Sequence, residues 1–145
     1  MLFVAMPRFQ GAFVQDDINQ VSRWITFKVQ ALKEKAVREQ RRYVLHINLD
    51  SNTIWISHSA MSLEESQAAQ TKAYHLPHDI NVLDVEYTDE NKTSVGQTDI
   101  HFYEKGYSDK AIIHIANRQN QQRSFFIEPF LAEVRVYQEY VGLTD

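Results

Sequence analysis

From Asp16 to Arg42 the chain runs for 27 residues without a glycine or a proline. Across that stretch Ile18, Val21, Ile25, Val29, Leu32 and Ala36 recur at every third or fourth position. This spacing is the seam of an amphipathic helix, with one apolar stripe facing a core. At 1.5 Å per residue it would span about 40 Å, more than twice the mean globular helix of about 11–12 residues. Asp16 and Asp17 stand where carboxylates complement the free amides of a helix start, and Lys35, Arg38, Arg41 and Arg42 crowd its end. Trp24 and Phe27 lie off the seam and are expected to widen the apolar face. A rod of this length needs an apolar surface beside it, which the rest of the chain must supply.

After Arg42 the period falls to two. Tyr43, Leu45, Ile47 and Leu49 share one face of a strand, Asp50-Ser51-Asn52-Thr53 is turn chemistry, and Ile54 to Ser57 returns as a second strand. Residues 59–73 are rich in Ser, Ala, Gln and Glu, and Ser62 with Glu65 is placed to cap a short helix, a loop being the alternative. Further strands are expected at Ile80–Tyr87, Ile100–Tyr103, Ala111–Ala116, Phe125–Ile127 and Val134–Tyr137. Thr88–Gln97 reads as a polar loop, and Leu76-Pro77-His78-Asp79, residues 104–108 and residues 118–122 as turns. One long helix followed by about seven short strands is an α+β pattern, the helix packed on antiparallel sheet. The helical part, 1–42, and the β-rich part, 43–145, are expected to form one domain, since 145 residues match the size of a single core.

Composition removes several functions. No cysteine is present, which excludes thiol catalysis, thiolate zinc sites and disulfides. No run of about 20 apolar residues exists to span a bilayer. The net charge of −4 conceals an asymmetry: residues 1–42 carry eight Lys/Arg against four Asp/Glu, and residues 43–145 seven against fifteen. An acidic bulk disfavours nucleic acid as partner, because phosphate binding requires a concentrated cationic face. Lys33 to Arg42 with Trp24 or Phe27 beside it is the one basic stretch, and it is read as the solvated, dipole-complementing end of the helix.

Residues that could carry chemistry do not assemble into a motif. His75 and His78, with Asp79 adjacent, superficially suggest metal ligands, but Pro77 between them breaks helical spacing and no zinc pattern accompanies them. His46, His101 and His114 fall on strands and are expected on solvated faces. There is no Gly-x-Ser-x-Gly elbow, and four dispersed glycines build no phosphate loop. Asp89, Glu90 and Asn91 offer oxygens to calcium without regular spacing, and Asn91-Lys92-Thr93 is a glycosylation triplet of the kind that arises by chance. No catalytic residue, cofactor or metal site is therefore expected.

The first residues, MLFVAMPRFQGA, form an apolar tip in which Leu2, Phe3, Val4, Met6, Phe9 and Phe13 lie close together. They lack the layout of an intact signal peptide. The helix end Lys35-Ala36-Val37-Arg38-Glu39-Gln40-Arg41-Arg42, running into Tyr43-Val44-Leu45-His46-Ile47-Asn48-Leu49-Asp50 and then Trp55, resembles the H-type minor pseudopilins of type II secretion systems and the related minor pilins of type IV pili. Leu76-Pro77-His78-Asp79-Ile80 is similar to the family's leucine-proline turn. Ile100 to Ser108 is similar to its isoleucine, phenylalanine, glycine, serine segment, and Phe125 to Val136 to its closing hairpin. The likeness covers residues from about 14 to 140 and rests on order and spacing, each motif being degenerate alone.

The resemblance implies a pilin-like fold, no active site and no cofactor. It implies a structural subunit whose partners are other pseudopilins or pilins of the same filament and inner-membrane components of the secretion system. The family's cleavage site and following apolar run are absent here, so membrane contact is expected only through a missing N-terminal segment. Leu2 to Phe9 would be its remainder, with Pro7 near the family's helix kink. A full-length protein would then sit in the bacterial inner membrane with a periplasmic β-domain, and the chain as written would be soluble. Assembly is expected to bury the apolar helix stripe against neighbouring subunits, through Leu2, Phe3, Val4, Met6, Phe9 and Phe13. The alternatives are a DNA-binding minor pilin of a competence system, which would need cationic residues on the β-domain, and a freestanding periplasmic binding module or hydrolase.

Overall fold

A computed structural model describes residues 5–88 and 91–143, with side chains from residue 17 onward, Thr88 excepted. Helix α1 runs Ala5–Glu39, 35 residues, and passes straight through Asp16 and Asp17, which therefore do not start it. Capping preference is a weak prior beside a continuing hydrogen-bond ladder. Pro7 falls in the first turn, where a missing amide costs nothing because the first four amides have no intrahelical partner.

The helix ends through backbone geometry. Gln40 adopts φ 53°, the left-handed region. The Arg41 amide then reaches back to the Ala36 carbonyl at 3.1 Å and the Gln40 amide to that of Val37 at 3.3 Å. These two bonds are the Schellman closure, which satisfies carbonyls that the helix leaves free. Glycine usually holds this position; here the Gln40 side chain partly compensates by donating Nε2 to the Val37 carbonyl at 2.7 Å.

Among the described residues nine strands and one short helix follow. The hairpin β1 (Tyr43–Asn48) and β2 (Thr53–His58) leads to α2 (Leu63–Thr71), then β3 (Tyr74–His75), β4 (Asn81–Thr88), β5 (Asn91–Thr93), β6 (Gln97–Phe102), β7 (Ala111–Ala116), β8 (Gln122–Ile127) and β9 (Arg135–Tyr137). The capping box expected at Ser62 and Glu65 is present, so residues 63–71 are helical. β5 occupies part of the expected polar loop at 88–97: it pairs along the edge of β4 through its backbone, and an edge strand tolerates Asn91 and Lys92. Asp89 and Glu90, whose oxygens lack the spacing of a calcium site, lie outside the described residues.

The strands form two antiparallel sheets, ordered β3-β2-β1-β6 and β5-β4-β7-β8-β9. In β1 burial alternates strictly, Tyr43, Leu45 and Ile47 facing inward and Val44, His46 and Asn48 outward. All six seam residues of α1 are at most 3% exposed and share one cluster with Ile100 and Phe102 of β6, Ile113 and Ile115 of β7, and Phe125 and Ile127 of β8. At roughly 1.5–3 kcal/mol for each buried aliphatic side chain, this seam is what holds the helix to the sheets.

Strand β7 departs from alternation because all six of its residues are buried. Ala111, Ile113 and Ile115 face the core cluster, while Ile112, His114 and Ala116 occupy the opposite face. His114, expected on a solvated face, is 0% exposed. The reason is tertiary: the segment after β9 returns across this face, and Val141 and Tyr140 contact the His114 ring.

The pairing of β4 with β7 slips between Val82 and Asp84, leaving Leu83 as an extra residue. Such a bulge moves every later side chain to the other face. Val85 therefore enters the core, and Asp84 and Glu86 join His114 on the outer face.

Candidate assembly surface

Of the apolar tip, Leu2, Phe3 and Val4 lie outside the described residues, and so do the side chains of Met6, Phe9 and Phe13, whose backbone belongs to α1. The remainder of the stripe corrects one expectation. Ile18 to Ala36 is swallowed by the chain's own sheets and is not available to a neighbouring subunit. Phe27 corrects another: instead of widening the packed face it stands 68% exposed on the opposite side of α1, because no sheet reaches round that far. Trp24 is packed as expected, stacked on Tyr74 with ring centroids 4.0 Å apart.

Near the C-terminal half of α1 several exposed apolar residues gather. Val37 approaches the turn at Gly106, whose φ of +100° suits glycine, and Tyr107 in that turn lies 6.2 Å from the Phe130 ring. Phe130 is 83% exposed and Leu131 is also exposed. The loop carrying them is pinned to α1 by Lys33, whose Nζ donates to the Glu128 carbonyl at 2.6 Å and to that of Leu131. Burial pushes the Lys33 ammonium below its usual range, and the Glu128 charge offsets part of this. An open hollow of about 600 Å³ beside this latch is lined by Gln30, Lys33 and Glu34 of α1 and by Glu133 and Val134.

The basic helix end is engaged within the chain. Arg38 pairs with Glu34 at 3.0 Å and Arg41 with Glu39 at 3.9 Å. Lys35 sits over the Tyr43 ring and Arg42 over that of Tyr103, each 5.8 Å from the centroid. A phosphate backbone would have to compete with all of these.

Three polar constellations remain. On the outer face of the first sheet, Ser57, His46 and Asp99 are brought together by strand register: His46 Nδ1 lies 2.7 Å from Asp99 Oδ1 and His46 Nε2 lies 2.7 Å from Ser57 Oγ. This is the connectivity of a nucleophile, a base and an orienting carboxylate. It is half-buried on the outer strand face, His46 stacked on the buried Trp55, and it lines neither the hollow above nor a second one beside Gln121 and Gln138. The sequence contained no local signal for it, since its three residues come from three strands. Asp109 binds His101 Nδ1 at 3.0 Å and the Tyr103 hydroxyl at 3.0 Å, fastening the turn between β6 and β7. His75 and His78 are exposed, and Asp79 pairs instead with Arg118 at 3.1 Å.

The third constellation is buried. His114 Nδ1 lies 2.6 Å from Asp84 Oδ1, and its Nε2 donates to the Val141 carbonyl at 2.8 Å. The Tyr140 hydroxyl donates to Asp84 Oδ2 at 2.8 Å, and Lys92 Nζ donates to the Tyr140 oxygen at 2.7 Å. Burial raises the Asp84 carboxyl, but the bonds from His114 and Tyr140 and the nearby Lys92 charge more than offset it, so it titrates below the ordinary carboxylate range.

No family model matches the sequence, and no curated protein matches it. The three-dimensional comparison does find similar folds. Two solved structures of the minor pseudopilin EpsH from the type II secretion system of Vibrio cholerae superpose with TM-scores of 0.60 and 0.61. They are 9% and 10% identical in sequence, and the match covers 87% and 89% of this chain and 99% of each of theirs. The long helix and the two antiparallel sheets of this chain are thus the fold of an H-type minor pseudopilin, as the motif order implied.

Proposed function

We propose that the chain is a non-enzymatic structural subunit, a minor pseudopilin of a type II secretion pseudopilus or of a type IV pilus-like filament. The observation that carries this reading is the fold match over almost the whole of both chains, with α1 clamped to the sheets along its C-terminal half. In this reading Leu2, Phe3, Val4, Met6, Phe9 and Phe13 continue an apolar edge toward the inner membrane and meet sister subunits. The acidic β-rich part faces the periplasm. Partners are the other pseudopilins of the filament and the inner-membrane components of its machinery. Among the described residues no helix is long and apolar enough to cross a membrane.

The test is a pull-down of the tagged chain against the other minor pseudopilins of the same genome. Capture that is lost when Phe9 and Phe13 are changed to Ser, in protein that remains folded, supports the reading. Failure to bind any of them, together with a soluble product when a hydrophobic helix is joined upstream, refutes it. A gel shift at low salt tests the DNA-binding alternative, since electrostatic affinity is greatest there.

A further inference from the structure

The buried group on the outer face of β4 and β7 contains an unexplained atom. Glu86 is only 7% exposed, and its Oε2 has no hydrogen-bond partner among the described residues. A buried carboxylate oxygen left bare is costly, and such atoms call for a bound ion or water. One ligand atom each from Asp84, Glu86 and His114 lie within 4.8 Å of one another.

The polar atoms of the group form a pattern. In each of the three side chains, one polar atom is held by the C-terminal segment, and the other is bonded within the cluster or bare. Asp84 Oδ2 accepts from the Tyr140 hydroxyl, leaving Oδ1 toward His114. Glu86 Oε1 faces the Leu143 amide at 3.4 Å, leaving Oε2 bare. His114 Nε2 must carry a proton, because the Val141 carbonyl only accepts, and Nδ1, which donates to Asp84 Oδ1, is the atom left to exchange its proton for an ion. A carbonyl or carboxylate bond to the far ring nitrogen is how proteins orient a metal-binding histidine.

We propose that Asp84 Oδ1, Glu86 Oε2 and His114 Nδ1 bind a divalent first-row transition ion such as Zn²⁺, and that Tyr140, Val141 and Leu143 form its outer shell. The imidazole nitrogen favours such an ion over calcium or magnesium, which take oxygen ligands. Tetrahedral bonds of about 2.0–2.1 Å set ligand atoms about 3.3 Å apart, so the 2.6 Å between Nδ1 and Oδ1 must widen by under about 1 Å. Binding replaces the Nδ1 proton, which leaves to solvent. Two carboxylates and a neutral imidazole then balance the ion's charge, and water takes the fourth position. The bulge at Leu83 is what makes the site, because without it Asp84 and Glu86 would face the core. The ion would clasp the C-terminal segment to the sheet.

The experiment is calorimetric titration of chelator-stripped protein with ZnCl2, with CaCl2 and MgCl2 as parallel arms, alongside thermal unfolding. The expected result is one Zn²⁺ per chain, a released proton, a raised Tm and no response to the other two ions. E86Q should weaken Zn²⁺ binding by at least ~10-fold while unfolding cooperatively in chelator. A His75→Ala/His78→Ala variant should bind as the parent does. Nitrogen-15 spectra of the unaltered protein need no variant: Zn²⁺ should move His114 Nδ1 and spare the His75 and His78 rings. No shift at His114, or binding that survives E86Q and disappears with His75 and His78, overturns the proposal.

Discussion

Breaking the buried pair Asp84–His114 tests how the two faces of the second sheet are stabilised. The side chains are 9% and 0% exposed and 2.6 Å apart. Breaking such a pair costs about 3–5 kcal/mol: His114→Leu strands the Asp84 carboxylate, and Asp84→Val leaves the His114 ring nitrogen and the Tyr140 hydroxyl without their partner. Asp84→Val leaves His114 without its anion, and His114→Leu leaves Asp84 with only Tyr140 and the more distant Lys92. In the double variant no charge is stranded. The loss reduces to about 1–3 kcal/mol for the unpaired Val141 carbonyl and the Tyr140 hydroxyl left without its acceptor, partly recovered by apolar contact. The two single costs should therefore exceed the double cost by about 3 kcal/mol or more. Urea unfolding at pH 7 in chelator measures all three. With about 2.1 cal/mol/K of unfolding entropy per residue, each single variant should lose roughly 10–15 °C in Tm, well above error. Additivity within ~0.5 kcal/mol would refute the reasoning, because independent sites behave that way.

Three other expectations can be measured by the same means. Gln40→Gly should stabilise the helix end by roughly 0.5–1 kcal/mol, the left-handed strain at φ 53° outweighing the lost side-chain bond to Val37; a lower urea midpoint would contradict it. Ile25→Ala, in the middle of the buried seam, should cost about 2–5 kcal/mol, whereas Phe27→Ala, two positions on and 68% exposed, should stay within about 0.5 kcal/mol. Burial pushes the Tyr87 phenol up to about 12, so folding favours its neutral form: stability is complete below the unfolded value near 10 and is lost as pH rises through 10 to 12. For a partly exposed ring the loss should be about 1–2 kcal/mol, and Tyr87→Phe should flatten that alkaline limb; an unchanged limb would exclude Tyr87 as its source.

Much of this architecture could be read before any coordinates. Seam spacing located α1 from Asp16 onward and named the six residues that the sheets bury among the described side chains, and strict alternation from Tyr43 to Asn48 gave β1 its inward face. Both patterns are local consequences of backbone period, 3.6 residues in the helix and two in the strand. Ser62 and Glu65 announced their cap for the same reason, since the partners are three residues apart. The adjacent apolar pair Val82-Leu83 ahead of Asp84 was the one visible trace of a bulge, because it breaks the period of two.

What lay beyond sequence reading was decided by distant parts of the chain. Helix α1 continues upstream of Asp16 because carboxylates there only bias a start and do not impose one. Phe27 is left in solvent because the sheets cover only one side of the rod. Ser57, His46 and Asp99 meet through cross-strand register, and Asp84, Glu86 and His114 meet through a slipped pairing. His114 is buried by residues 140 and 141, more than twenty positions along the chain. The period of a segment tells which residues share a face. Whether that face meets water, another strand or the returning C-terminal segment depends on chain closure, and only the tertiary structure carries that information.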